Sequence, residues 1–187
     1  PGEVVVNGMS PSKRNNLFAN SGIVVEINVE EDIPKYEKFG VLKRLEYQKD
    51  LERLAFTAGG RSQTAPAQRL THFVEGVLSP DLNPTSYQPG LKSAPLHSLL
   101  PRLIGSRLRT GFTAFGKKMK GYYTSEANIV GVESRTSSPV TIPRNEQLEH
   151  PEIKGLFPCG EGGGYAGGIV SAAMDGERCA EAAVAGL

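Results

Sequence analysis

Six glycines fall within the nine residues from Gly160 to Gly168, after Leu156-Phe-Pro-Cys159 and before the small-residue run Ile169-Val-Ser-Ala-Ala173. This order predicts a short strand, a tight turn and a helix start. Glycine lets the main chain take positive φ and lets another molecule come within contact distance of it. The first turn of a helix adds N–H groups without intrahelical acceptors and a partial positive charge. The chemistry implied is the holding of an electron-rich group.

Spacing decides which group. Gly162, Gly164 and Gly167 match G-x-G-x-x-G, but a dinucleotide-binding unit also needs a second parallel strand after the helix, ending in an acid. The expected helix, from about Gly168 to Ala185, leaves no room for one before Leu187. The adenine-side phosphate loop is therefore rejected. An acid instead precedes the glycines: Glu161, expected at the carboxyl end of the strand, can accept hydrogen bonds from sugar or ribityl hydroxyls. Backbone N–H groups at Gly167, Gly168 and Ile169 can face a carbonyl or a developing anion. Together these describe one edge of a flavin, with a helix dipole aimed where negative charge collects on reduction. Helix capping is the plainer alternative for Glu161. Ser171, Ala172 and Ala173 keep the next helical turn small enough for close approach.

Other reactive side chains are sparse. Cys159 and Cys179 lack metal-ligand spacing and a disulfide framework, and a reducing, cytoplasmic setting is the default. Cys159 adjoins the turn, but no second cysteine is near it in sequence, so a buried structural thiol is the commoner reading. His72, His97 and His150 have no evident partners, and no general acid or base is assigned.

Twenty-one Lys and Arg balance twenty Asp and Glu, so net charge argues for neither nucleic acid nor an anionic membrane. No run approaches the length that spans a bilayer. A chain of 187 residues can bury one substantial core or two small lobes.

The supporting elements read in order as follows. Glu3 to Asn7 and Ile23 to Val29 are β-branched and predict a strand pair with a long polar tip. In that tip Lys13 and Arg14 are solvated charges or, alternatively, face a phosphate. Lys35 to Ala58 has apolar residues at helical spacing, divided at Gly40 and ended by Gly59-Gly60. Pro66 fits the first position of a second helix running through Leu70 and Phe73 to Val74. Gly76 to Gly90 is an irregular loop or lid. Leu96 to Met119 again keeps helical spacing, with Pro101 and Gly105 suggesting two helices whose apolar stripe is core. Ala127 to Val132 and Val140 to Ile142 predict two further strands.

Several blocks carry a family likeness. The run from Phe157 to Gly176, with Val6-Asn-Gly-Met-Ser10, Ala65-Pro-Ala-Gln-Arg69 and Val132-Glu-Ser-Arg-Thr-Ser-Ser-Pro-Val140, resembles the carboxyl-terminal part of uncharacterised bacterial FAD-dependent dehydrogenases, also called NAD(FAD)-utilising dehydrogenases. Gly163 departs from the Gly-Glu-Gly-Ala-Gly-Tyr expected there, a small-for-small change. The resemblance implies an FAD-dependent oxidoreductase with hydride transfer on an unknown substrate, NAD(P)H being possible as donor. It implies cofactor contacts at Gly160, Glu161, Gly162, Gly167, Gly168 and Ile169, with Tyr165 and Ala166 as second choices. Arg135, Thr136, Ser137 and Ser138 follow a strand end, where they face the flavin or substrate pocket or stabilise a turn.

The resemblance also implies a missing partner. Family members have an amino-terminal Rossmann-type lobe for the adenine and pyrophosphate, and the start at Pro1 suggests a chain beginning inside a larger protein. The expected class is α/β, α+β within these residues: a helical middle domain inserted between strand pieces of an incomplete FAD-binding lobe. The expected divisions are 1–30, 31–125 and 126–187. The chain alone is expected to bind FAD weakly and to be inactive. The competing reading is a non-catalytic RNA- or protein-binding module using the basic segment Arg102 to Lys120, although nucleic acid is not the favoured partner.

Overall fold

The computed structural model describes residues 2–9 and 11–186; Ser10, which closes one of the sequence blocks above, lies outside them, as do Pro1 and Leu187. The elements are α1 (Val29–Asp32), a 3-10 segment (Pro34–Leu42), α2 (Lys43–Ala58), β1 (Ala65–Arg69), α3 (Leu70–Glu75), β2 (Leu91–Ser93), α4 (Leu96–Leu99), α5 (Arg102–Lys118), β3 (Asn128–Val130), α6 (Gly160–Gly163) and α7 (Ile169–Ala185). This is an α+β chain. It divides into two compact units, one of residues 1–34 and 49–134, the other of 35–48 and 135–187. No helix among the described residues is long and apolar enough to cross a membrane.

The first unit is built on a sheet of order β2-β1-β3, with β1 parallel to β2 and antiparallel to β3. β1 is the Ala-Pro-Ala-Gln-Arg block, so the expectation of a helix beginning at Pro66 is corrected. Proline is tolerated because its missing N–H falls where the ladder ends: Ala67 pairs with Val130, the last residue of β3, and Pro66 only accepts, from Gly131 at 3.0 Å. Small side chains suit this strand, since α3 and α4 both pack on it. α3 starts where β1 stops and is ended by Gly76 at φ 77°, whose N–H returns to Phe73.

Over the sheet lies a core of Val4, Ala55, Leu70, Phe73, Leu96, Leu100, Phe112 and Val132. The Phe73 and Phe112 rings meet edge-on at 6.0 Å. The stripe read from Leu96 to Met119 is thus core at Leu96, Leu100 and Phe112. The break between its two helices falls at Pro101, while Gly105 lies inside α5.

The helical expectation for 35–58 holds, with Gly40 (φ 55°) at the kink and Gly59-Gly60 beyond the end. The expected strands at Glu3–Asn7, Ile23–Val29, Val140–Ile142 and Leu156-Phe157 are corrected: none forms a ladder. Val4 and Val6 are buried on alternate positions, but their amides bond singly, to Glu52 and Val132 carbonyls at 3.2 and 3.0 Å. Ile23, Val25 and Ile27 are likewise half-buried with exposed residues between. The period-two pattern survives without a neighbouring strand to pair with.

Candidate functional site

Leu156 to Pro158 approaches the glycine turn as irregular chain, and Glu161 therefore lies in the short helix α6 rather than at a strand end. α6 stops at Gly164 (φ 85°), whose N–H returns to the Glu161 carbonyl at 3.0 Å. A side chain there would collide with Thr141 and with the Val140 carbonyl, at 2.7 and 2.8 Å from a Cβ. Segment 140–142 is laid against the turn at that point, and Ile142 N–H donates to Gly163 O at 3.1 Å. Gly160 also has positive φ, 63°. These two glycines are required by the backbone itself.

The turn is anchored from beneath by a buried ion pair. Asp175 on α7 accepts two hydrogen bonds from Arg144, at 2.8 and 3.0 Å, and a third from Gly160 N–H at 2.9 Å. Both partners are about nine-tenths buried. The Arg144 hydrogen bonds, then the Gly160 amide, pull the Asp175 carboxyl down to about 2 despite burial. Arg144 is correspondingly pushed up by its bond to Asp175. Its guanidinium also donates to the Pro158 carbonyl at 2.9 Å and lies 3.6 Å from the centre of the Tyr165 ring. Tyr165 in turn donates its hydroxyl to Ile142 O at 2.8 Å. Sequence reasoning missed this pair; an Asp within Ala172-Ala-Met-Asp175, in the small-residue stretch of a helix, was the available signal.

Above the anchor the turn is open. Glu161, Gly162, Gly167, Gly168 and Ile169 are exposed, and Ala166 is half-buried. A Cβ on Gly162 or Gly167 would meet nothing within 4 Å, and neither has positive φ. α7 begins at Ile169, with the Ser171 hydroxyl accepting from Gly168 N–H at 3.2 Å. By helix geometry its first-turn amides have no intrahelical acceptor. Ile169, Val170 and Met174 are 92, 72 and 60% exposed, an uncovered apolar face at the same end of the helix.

The expected site residues are therefore gathered unevenly. Those from 160 to 169 share one segment, but Gly160 N–H is committed to Asp175, and Tyr165 is committed to Arg144 and Ile142. Arg135, Thr136 and Ser137 are exposed in the same unit, and Ser138 donates to Val140 O at 2.6 Å, a local turn contact. Val140 is one of the residues packed against Gly164.

The histidines, unpartnered on reading the sequence, are all bonded. His97 Nδ1 meets Gln68 Nε2 at 2.8 Å, and Gln68 Oε1 accepts from His97 N–H at 3.1 Å. Burial, then Arg109, pushes the His97 pKa down. His72 Nδ1 meets Ser79 Oγ at 3.0 Å, and Ser79 Oγ accepts from Arg69 N–H at 2.8 Å. Arg69 itself pairs with Asp81 at 2.6 Å. This network pins the loop between α3 and β2, and it explains the Gln68 and Arg69 of the Ala65–Arg69 block structurally. His150 Nδ1 accepts from the amides of Glu152 and Ile153 at 3.1 Å. On α5 the cations are not pooled: Arg107 is paired with Asp32 at 3.1 Å and with Glu26 O at 2.7 Å, and Arg109 is half-buried.

An uncharacterised protein of Clostridium beijerinckii is 40% identical over 182 residues, which cover 96% of this chain and 33% of that protein. The chain thus spans about a third of the length of the curated relative it matches. The profile of the family described as FAD-dependent protein, C-terminal domain-like matches residues 1–136. With most of its length matched, this chain belongs to the FAD-dependent protein, C-terminal domain-like family.

Proposed function

We infer that this chain supplies the flavin-facing edge of an FAD-dependent oxidoreductase, a dehydrogenase whose adenine and diphosphate are held by an amino-terminal Rossmann-type lobe of the same polypeptide. Gly162 and Gly167 carry the reading. Both stand at ordinary φ in open space, so the chain's own packing gives no reason for glycine at either position. A molecule approaching the backbone from outside does give one. Family membership supports the same cofactor.

In this arrangement Gly167, Gly168 and Ile169 bring the start of α7 to the cofactor, its dipole favouring developing negative charge. The exposed Glu161 carboxylate receives ribityl hydroxyls, Gly162 and Ala166 line the approach, and Gly160 and Tyr165 hold the turn in shape through Asp175 and Arg144. Arg135, Ser137 and Ser138 are the substrate-side candidates. A bound flavin supplies hydride acceptance and release; the residues here bind and orient it.

The test is spectroscopic. The longer polypeptide carrying an amino-terminal lobe is expected to be yellow and to bleach with dithionite, whereas this chain alone binds FAD weakly. A colourless, folded long polypeptide that fails FAD reconstitution would overturn the proposal.

A further inference from the structure

The sequence contains two cysteines, far apart along the chain. Folding brings them together. Asp175 and Cys179 lie four residues apart on one face of α7, and both reach the chain around Cys159. Cys179 Sγ lies 3.8 Å from the Pro158 carbonyl, and the Asp175 carboxylate holds Gly160 N–H at 2.9 Å. Cys159 is the residue between those two anchored neighbours, and burial first, with the Cys159 thiol among the smaller causes, pushes the Cys179 thiol up. Their surroundings differ. Cys159 is exposed, while Cys179 is 3% exposed with Arg144 Nη1 3.3 Å from its sulfur. Burial holds the Cys179 thiol protonated and Arg144 opposes it, so the open Cys159 is the entering cysteine and the buried Cys179 the resolving one.

We propose that Cys159 and Cys179 form a redox-active dithiol that reduces low-molecular-weight disulfides and closes to an intramolecular disulfide. The Cys159 thiolate attacks one sulfur of the disulfide, forming a mixed disulfide and expelling one thiol. The Cys179 thiol, with Arg144 against its sulfur, then gives up its proton and attacks Cys159 Sγ, breaking the mixed disulfide and expelling the second thiol. Two protein thiols are oxidised by two electrons, and one small disulfide is reduced to two thiols. The closed bridge joins the start of α6 to α7 and encircles Glu161 to Ile169, so oxidation fixes the glycine turn covalently at the place where Asp175 already holds it. The proposal stands apart from the flavin reading.

The reduced 187-residue chain, treated with glutathione disulfide under native conditions and quenched with acid, decides it. The expected result is loss of both titratable thiols, an intact mass lower by two hydrogens, and a Cys159–Cys179 cross-linked peptide. Cys179→Ala is expected to stop with one glutathione on Cys159, and Cys159→Ala to keep a free thiol at Cys179. A wild-type chain that ends with glutathione on Cys159 and a free Cys179, that forms Cys159-linked dimers, or that does not react, overturns the proposal. That result needs no variant to fold.

Discussion

The polar network around Gln68 and the anchor beneath the glycine turn solve the same problem to different degrees. Around Gln68 every partner lies within the unit: His97, the Val77 carbonyl, Ser79 and His72 answer one another, and Gln68 is fully buried. Around Asp175 only the lower side is answered. Arg144, Gly160 and Cys179 close it, while Gly162, Gly167 and the apolar start of α7 face outward. The first arrangement stabilises a fold. The second holds an exposed turn in a fixed shape from one side only.

Substitutions separate the two. Asp175→Ala strands a buried guanidinium and is expected to cost about 3–5 kcal/mol, read as faster amide exchange at 158–166 with the core around Phe73 unchanged. Its pH dependence has a fixed sign. Because the folded carboxyl sits at about 2 rather than 3.8, its stabilisation is present above pH ~4 and is lost as pH falls through about 2, some 2 kcal/mol in all. Asp175→Asn should flatten that part of the acid-unfolding profile.

Gln68→Leu leaves His97 and the Val77 carbonyl without a partner, an expected loss of about 2–3 kcal/mol, measured as a lower denaturant midpoint and faster exchange in β1 and α3. Gly164→Ala should cost about 1–3 kcal/mol through its positive φ and the collision with Thr141. Gly162→Ala should change thermal stability by no more than ~0.5 kcal/mol, and equal losses at the two glycines would erase the distinction drawn between them. Tyr165→Phe removes only the bond to Ile142 O and is expected to cost about 1 kcal/mol.

Helices were legible because their cause is local. Apolar spacing located 35–58 and the segment after Pro101, the small-residue run located the closing helix, and Gly40 and Gly60 take positive φ where the helix of 35–58 was expected to divide and to end. Strands were not, because a strand is made by its neighbours. Glu3–Asn7 and Ile23–Val29 have β-branched composition but no ladder, whereas β1 is alanine, proline and glutamine made extended by β2, β3 and the helices above it. For the candidate site, glycine spacing marked the segment proposed to meet the flavin, and family likeness named FAD. Arg144 and Asp175, like Gln68 and His97, are joined by tertiary contact between distant residues and leave no spacing signal. Cys159 was set aside for lacking a near neighbour in sequence, yet the fold provides Cys179.

The direct test of the flavin reading is Gly167→Val in the longer polypeptide, with FAD affinity and melting temperature measured on the same preparation. The account predicts FAD binding weakened about tenfold or more with the melting temperature of the apoprotein unchanged, because the fold leaves open space at that position. Undiminished FAD affinity with a folded variant would contradict it.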